Sequence, residues 1–148
     1  MNSYVLRETN DYLTLSQFFC DNNLSVPVSE TVPAGMIKMW RMDDSESGEL
    51  IAAATLEVRD GVPTLGDLAI RESDRSKGYG KFLQNVVFEA ARDLGYTELW
   101  GNAKVPAYYL NLGWEAMDWE SSPRVYLSCH ECSQRNVNCF PQIIRYRL

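Results

Sequence analysis

The sequence predicts a mixed α/β (α+β) fold with helices packed on a central sheet, and three observations predict it. Strand-like apolar runs and helical stripes follow one another in the order β-α-β-β-β-α-β-α-β-β. Asp60-Gly61 separates two apolar runs, a strong hairpin signal, so two consecutive long strands are antiparallel there. Apolar residues then recur at three- and four-residue steps from Phe82 to Leu94, the period of a helix that buries one side.

Tyr4 to Arg7 reads as a short first strand. Thr9-Asn10-Asp11 supplies capping side chains for a helix carrying Tyr12, Leu13, Leu15, Phe18 and Phe19. Residues 22–35 are loop-like, with Pro27, Pro33 and several Ser, Thr and Asn residues. Met36 to Met42 is a strand and Asp43 to Gly48 a polar turn; Leu50 to Arg59 and Val62 to Ile70 form the hairpin. In the central helix Phe82, Leu83, Val86, Val87, Ala90 and Leu94 share a stripe, with Gln84, Asn85, Glu89, Arg92 and Asp93 mostly opposite. Gly95 sits where a left-handed residue would end that helix. A strand at Thr97 to Trp100, a helix near Val105 to Leu112 and a strand at Trp114 to Asp118 follow. A last strand, Gln142 to Arg147, is expected to close the sheet. There is no internal repeat, linker or low-complexity tract.

A chain of 148 residues is expected to form a single domain over 1–148, large enough to bury about 68–70% of its unfolded surface. No apolar run approaches the roughly 20 residues that span a bilayer. The first residues lack the basic-then-apolar pattern of a secretory signal. The expectation is a cytoplasmic protein with reduced cysteines and no membrane partner. The net charge of -6 argues against nucleic acid as a partner, since that binding needs a basic face. It suits a small cationic ligand.

The segment Arg71 to Lys81 runs against this acidic background, with Arg71, Arg75, Lys77 and Lys81 against Glu72 and Asp74. It joins a strand end to a helix start, where unpaired N–H groups and the helix dipole favour an anion. Gly78 and Gly80 keep side chains out of the way of a phosphate. A lone Gly-x-Gly is also compatible with a helix start that holds no ligand. Two nucleotide motifs are excluded: a P-loop needs Lys-Ser/Thr after its last glycine, where Lys81-Phe82 stands, and a dinucleotide fingerprint needs a glycine where Leu83 stands.

Arg75-Ser76-Lys77-Gly78-Tyr79-Gly80 resembles the acyl-CoA-binding pattern Arg/Gln-x-x-Gly-x-Gly/Ala of the GCN5-related N-acetyltransferases, placed after the strand Gly66-Asp67-Leu68-Ala69-Ile70. A second block, Asn102 to Trp114, resembles that family's Asn-x-x-Ala-x-x-Phe-Tyr-x-x-x-Gly-Phe; Asn102, Tyr109 and Gly113 match, while Val105, Tyr108 and Trp114 are substitutions. The resemblance covers residues 36–118 well and the rest in outline. It implies a mostly antiparallel sheet of six to seven strands flanked by helices, with two central strands splayed to admit acetyl-CoA as co-substrate.

Acetyl transfer to an amine must hold the thioester, stabilise an oxyanion and protonate a departing thiolate. The resemblance assigns coenzyme binding to Arg75, Ser76, Lys77, Gly78, Tyr79, Gly80 and Lys81, through main-chain N–H groups and basic side chains. It assigns the oxyanion to main-chain N–H groups of Leu68, Ala69 and Ile70. Tyr109 is the expected proton donor, as a phenol stays protonated at neutral pH; packing by Tyr108 and Tyr109 on a helix is the plain alternative. Asn102 is expected to hydrogen-bond the pantetheine arm or to hold the loop, with an ordinary helix cap as the plain alternative. Glu57 and Asp67 are both candidates for the base that deprotonates the amine, or else part of a solvated strand face, and the motif does not choose between them.

Cys129-His130-Glu131-Cys132 and Cys139 are a departure from the family pattern. Their spacing is open to a zinc site, a redox pair or reduced thiols in a turn, and no metal site is assigned. The sequence thus leads to an acetyl-CoA-dependent N-acetyltransferase acting on a primary amine, a small-molecule acceptor, by direct attack in a ternary complex. A non-catalytic acyl-CoA-binding protein and a metal- or redox-sensing module are the alternatives, and a homodimer is left open.

Overall fold

The computed structural model describes residues 3–123 and 141–148, so the cysteine-tail residues Cys129, His130, Cys132 and Cys139 lie outside the described part. In chain order the elements are β1 (Tyr4–Glu8), α1 (Tyr12–Asp21), β2 (Met36–Asp44), β3 (Leu50–Arg59), β4 (Val62–Ile70), a short 3₁₀ turn (Glu72–Asp74), α2 (Tyr79–Asp93), β5 (Glu98–Ala103), α3 (Pro106–Leu110), β6 (Glu115–Met117) and β7 (Gln142–Arg147).

The described strands form one seven-stranded sheet in the order β1-β2-β3-β4-β5-β7-β6. All neighbours are antiparallel except β4 and β5, which are parallel because α2 crosses between them. The expected role of the last strand changes: β7 does not close the sheet but inserts between β5 and β6, pairing β5 from Glu98↔Arg147 to Ala103↔Gln142. Among the described residues, the three-residue β6 is the strand at that end of the sheet.

Two differences in strand length have local causes. β2 continues past Met42 to Asp44 because Asp43 pairs with Val5 and Leu50. Its nearly buried carboxylate is held by Arg41 at 2.7 Å. β5 runs past Trp100 to Ala103, since its ladder with β7 carries through Gly101 and Asn102. Asn102 therefore lies on a strand rather than at a helix cap, and Val105 takes the N-cap position of α3.

Helices cover both faces. Tyr12, Leu15, Phe18 and Phe19 of α1 pack with Met39, Ala53 and Ala69, while Leu83, Val87, Phe88 and Ala91 of α2 pack with Trp40, Met42, Ala54 and Leu56. The run Ala52-Ala53-Ala54 on β3 is fully buried, and its short side chains leave room for a helix on either side. Each fully buried Leu or Phe here contributes about 1.5–3 kcal/mol relative to exposure. Asp11 caps α1, accepting from the Thr14 N–H at 3.2 Å. At the other end of α2, Gly95 is left-handed (φ 89°), with Tyr96 N–H to the Ala91 carbonyl and Gly95 N–H to that of Arg92.

The buried stripe of α2 is rotated from the expected one. Phe82 and Leu94 are exposed, and Gln84, expected on the polar side, is buried. Its Oε1 accepts the Trp114 indole N–H at 2.7 Å, which satisfies both groups. On α1, Leu13 likewise faces outward. Among the described residues, no helix is long and apolar enough to cross a membrane.

Candidate active site

β4 and β5 are joined only at Thr64↔Trp100. Beyond that point they diverge, and a cavity of about 860 Å³ opens between Leu65 to Ile70 of β4 and Gly101 to Lys104. The bend has a local origin. Between Ala54↔Leu68 and Leu56↔Leu65 the ladder advances two residues on β3 but three on β4, so β4 carries a bulge at Gly66-Asp67. The Asp67 N–H leaves the ladder and donates to the Thr55 hydroxyl at 2.9 Å. Gly66 has no room for a side chain, because a Cβ there would overlap the Glu57 carboxylate and the Thr55 hydroxyl. Leu68, Ala69 and Ile70 line the cavity along an edge with no ladder partner on β5.

At one end of the cavity β4 passes into the glycine-bearing turn. Ser76 and Gly78 are left-handed, with φ 67° and 85°. Gly78 is the N-cap of α2 and no side chain caps it. The first amides of the helix, on Tyr79, Gly80 and Lys81, thus have no side-chain acceptor, the arrangement that suits an anion. The basic side chains divide into two sets. Arg71 and Lys77 close onto Asp74 at 2.7 and 2.9 Å, and Asp74 is buried. Burial pushes the Asp74 carboxyl up, but these two partners outweigh it and hold it below the usual carboxylate range. Lys77 therefore anchors the turn. Arg75 instead reaches the Ile70 carbonyl at 3.0 Å and Asn22 Oδ1 at 3.5 Å and lines the cavity. Lys81 is exposed. The Tyr79 ring turns away to meet Tyr4 edge-on, at a centroid distance of 5.5 Å. The tip of Tyr108 lies directly on Gly80, where a Cβ would overlap its hydroxyl.

Tyr109 and Asp67 meet in the same cavity. α3 presents Tyr109 edge-on to Trp114 (5.8 Å) and Tyr108 (5.1 Å). Burial, then the neighbouring Tyr108 and Asp67, push its phenol well up, so it keeps its proton throughout the neutral range. Burial and the Glu57 charge push Asp67 up to about 6, against the pull of Arg59 and Lys104. Asn102 lines the cavity from β5.

The two candidate carboxylates part company here. Asp67 lines the cavity, whereas Glu57 is buried beneath Gly66. Glu57 is within reach of the Thr55 hydroxyl at 3.4 Å and of Arg59 Nη2 at 3.5 Å.

The structure adds residues to those read from the sequence. Tyr12 of α1 is buried near both carboxylates, and burial followed by Asp67 and Glu57 raises its phenol. Arg59, Lys104 and the segment Asn22 to Ser25 also line the cavity. The sequence carries a signal only for Tyr12, an aromatic residue just after a helix cap, and it signals a core position. The others are ordinary polar residues that only the chain's path brings together.

The profile of the acetyltransferase (GNAT) family matches residues 8–114. No curated protein matches the chain by sequence. Among solved structures, N-acetylglutamate synthase from Neisseria gonorrhoeae, complexed with coenzyme A and N-acetyl-glutamate, is similar with a TM-score of 0.75 at 16% identity. That match covers 99% of this chain and 35% of the other, so this chain spans about a third of the synthase's length. An acetyltransferase of the GNAT family from Staphylococcus aureus MU50 is similar with a TM-score of 0.71 at 12% identity, over 99% of both chains. A GNAT family acetyltransferase from Elizabethkingia anophelis, with acetyl-CoA bound, is similar with a TM-score of 0.61 at 13% identity, over 98% of both. The family profile spans well over half of the sequence and the fold is the one these structures share: the chain belongs to the acetyltransferase (GNAT) family.

Proposed function

We propose that the protein is an acetyl-CoA-dependent N-acetyltransferase that transfers an acetyl group to the primary amine of a small molecule by direct attack in a ternary complex. The observation that carries this reading is one cavity lined by both Asp67 and Tyr109 that reaches the turn before α2 at Asp74, Arg75 and Ser76, beside a helix start that no side chain caps. Similar structures that hold coenzyme A or acetyl-CoA support the choice of co-substrate.

The residues present fit such a group. Uncapped amides of Tyr79, Gly80 and Lys81, flanked by Arg75, suit a diphosphate. The free edge of β4 from Leu68 to Ile70 offers main-chain donors for an oxyanion, an interaction worth about 3–4 kcal/mol when preorganised. When bound, the thioester supplies an activated acetyl group. Asp67 accepts the proton that the amine loses as its nitrogen bonds to the acetyl carbon. Its elevated pKa places it near the range where a base is both ionised and usefully basic. Tyr109 gives its proton to sulfur as the carbon–sulfur bond breaks. The burial that raises the phenol also raises the proton affinity of the departing thiolate, which keeps the transfer favourable. Glu57 acts indirectly, since its charge helps set the basicity of Asp67.

The test is a thermal-shift titration with acetyl-CoA, followed by thiol release over a panel of amines. The expected result is stabilisation by acetyl-CoA and release with at least one amine. Stabilisation without release from any amine overturns the enzymatic reading and leaves a coenzyme-binding protein. Absence of stabilisation overturns both.

A further inference from the structure

We infer that the acceptor is a compact zwitterion, with its nucleophilic amine set against Asp67 and a nearby carboxylate held by Lys104. This rests on the acetyltransferase reading and specifies its substrate class.

Three features of the cavity carry it. Asp67 on the β4 bulge and Lys104 just past β5 line the cavity from its two separate walls, so charges of opposite sign face one ligand. Among the described residues, only two that line the cavity are acids, Asp67 and Asp74, and Asp74 is committed to Arg71 and Lys77. The lining thus has one carboxylate to offer a cation, which matches a monoamine and leaves a polyamine with charges unanswered. Conversely, the Lys104 ammonium donates to the neutral Ser25 hydroxyl at 2.8 Å, and no carboxylate among the described residues pairs with it. A ligand carboxylate would convert that neutral contact into a charge-assisted one, and the Ser25 hydroxyl could donate alongside.

The size limit comes from the segment after α1. Asn22 accepts from Arg75 at 3.5 Å and Ser25 from Lys104 at 2.8 Å. These contacts tie one short stretch to both walls beside the opening. A ligand spanning from Asp67 to Lys104 under this strap is small, and like-charge repulsion from Lys104 disfavours an acceptor whose second group is cationic.

The experiment uses matched triplets of acceptors with the intact protein: an α-amino acid, its carboxamide and its decarboxylated amine, for alanine, leucine, glutamate and phenylalanine. Spermidine serves as a carboxylate-free polyamine, and thiol release from acetyl-CoA is the readout. At least one free acid is expected to exceed its amide and amine in kcat/KM by about ten- to a hundredfold, the range of a hydrogen bond to a charged group. Lys104→Met should collapse that ratio to within about threefold, and Lys104→Arg should restore part of it. Equal turnover of acid and amide overturns the inference, as does a preference that survives Lys104→Met. Release with spermidine or the plain amines but with no acid overturns the zwitterion and keeps the acetyltransferase. No release from any amine overturns both.

Discussion

The main-chain N–H of Asp67 donates to the Thr55 hydroxyl at 2.9 Å, across the ladder between β3 and β4. An extra residue in β4 turns this donor away from the strand pairing, and fully buried Thr55 receives it. The bulge that opens the cavity thus depends on a hydroxyl. Thr55→Val keeps the volume but leaves a buried N–H unpaired, and is expected to destabilise the fold by about 1–3 kcal/mol. Thr55→Ser should lose much less. Urea denaturation measures both; a valine variant with an unchanged midpoint would show that the bulge holds itself.

Two glycines invite opposite outcomes. At Gly66 an added methyl meets the buried Glu57 carboxylate and Thr55 hydroxyl, so Gly66→Ala should cost about 1–3 kcal/mol through overpacking. At Gly80 it meets only the tip of exposed Tyr108. That ring can swing, and alanine favours a helix by up to about 1 kcal/mol over glycine. Gly80→Ala should therefore melt near the wild type while weakening acetyl-CoA binding, and Tyr108→Ala added to it should recover affinity. Equal melting shifts at the two positions would contradict the packing described.

For Asp67 the folded pKa of about 6 lies above the unfolded reference of 3.8. Between those values the folded state holds more protons, so this group's contribution to stability falls as pH rises from about 4 to about 6. Asp67→Asn should consequently be more stable than the wild type at pH 8, with the advantage gone near pH 3.5. Its activity should drop by about 10²–10⁴, the span of general-base catalysis, and the acid limb of the pH–rate profile should disappear. Glu57→Gln should instead keep the limb and move it to lower pH, because one of the charges raising Asp67 is removed. An abolished limb in Glu57→Gln and an intact one in Asp67→Asn would reverse the two roles.

Tyr109→Phe keeps the edge-on contact with Trp114 but loses the phenolic proton. Thiol release is expected to slow by about 10²–10⁴ with acetyl-CoA affinity nearly intact. Isothermal titration and single-turnover kinetics separate the two quantities. A variant as fast as the wild type would remove the proton-donor role.

Much of this architecture was readable because it rests on short-range chemistry. The Asp60-Gly61 hairpin, the cap at Asp11 and the left-handed stop at Gly95 are local backbone preferences, and each lies where the pattern placed it. Gln84 departs from the periodic pattern for the opposite reason. Its burial depends on Trp114, thirty residues away, supplying a hydrogen bond. The position of β7 was similarly invisible, since strand order is decided by which edges pair and not by the composition of the strand.

Residue types and their spacing, taken alone, determined the order of helices and strands, the glycine turn at the head of α2 and the family motifs. All of these follow from preferences within a few residues. Only the tertiary structure separates the positions of Glu57 and Asp67, both acids on adjacent strands. A single extra residue in β4 puts Asp67 into the cavity and leaves Glu57 under Gly66. Side-chain direction in a sheet reverses with each residue, so a one-residue bulge re-aims a carboxylate without leaving any mark in composition or spacing.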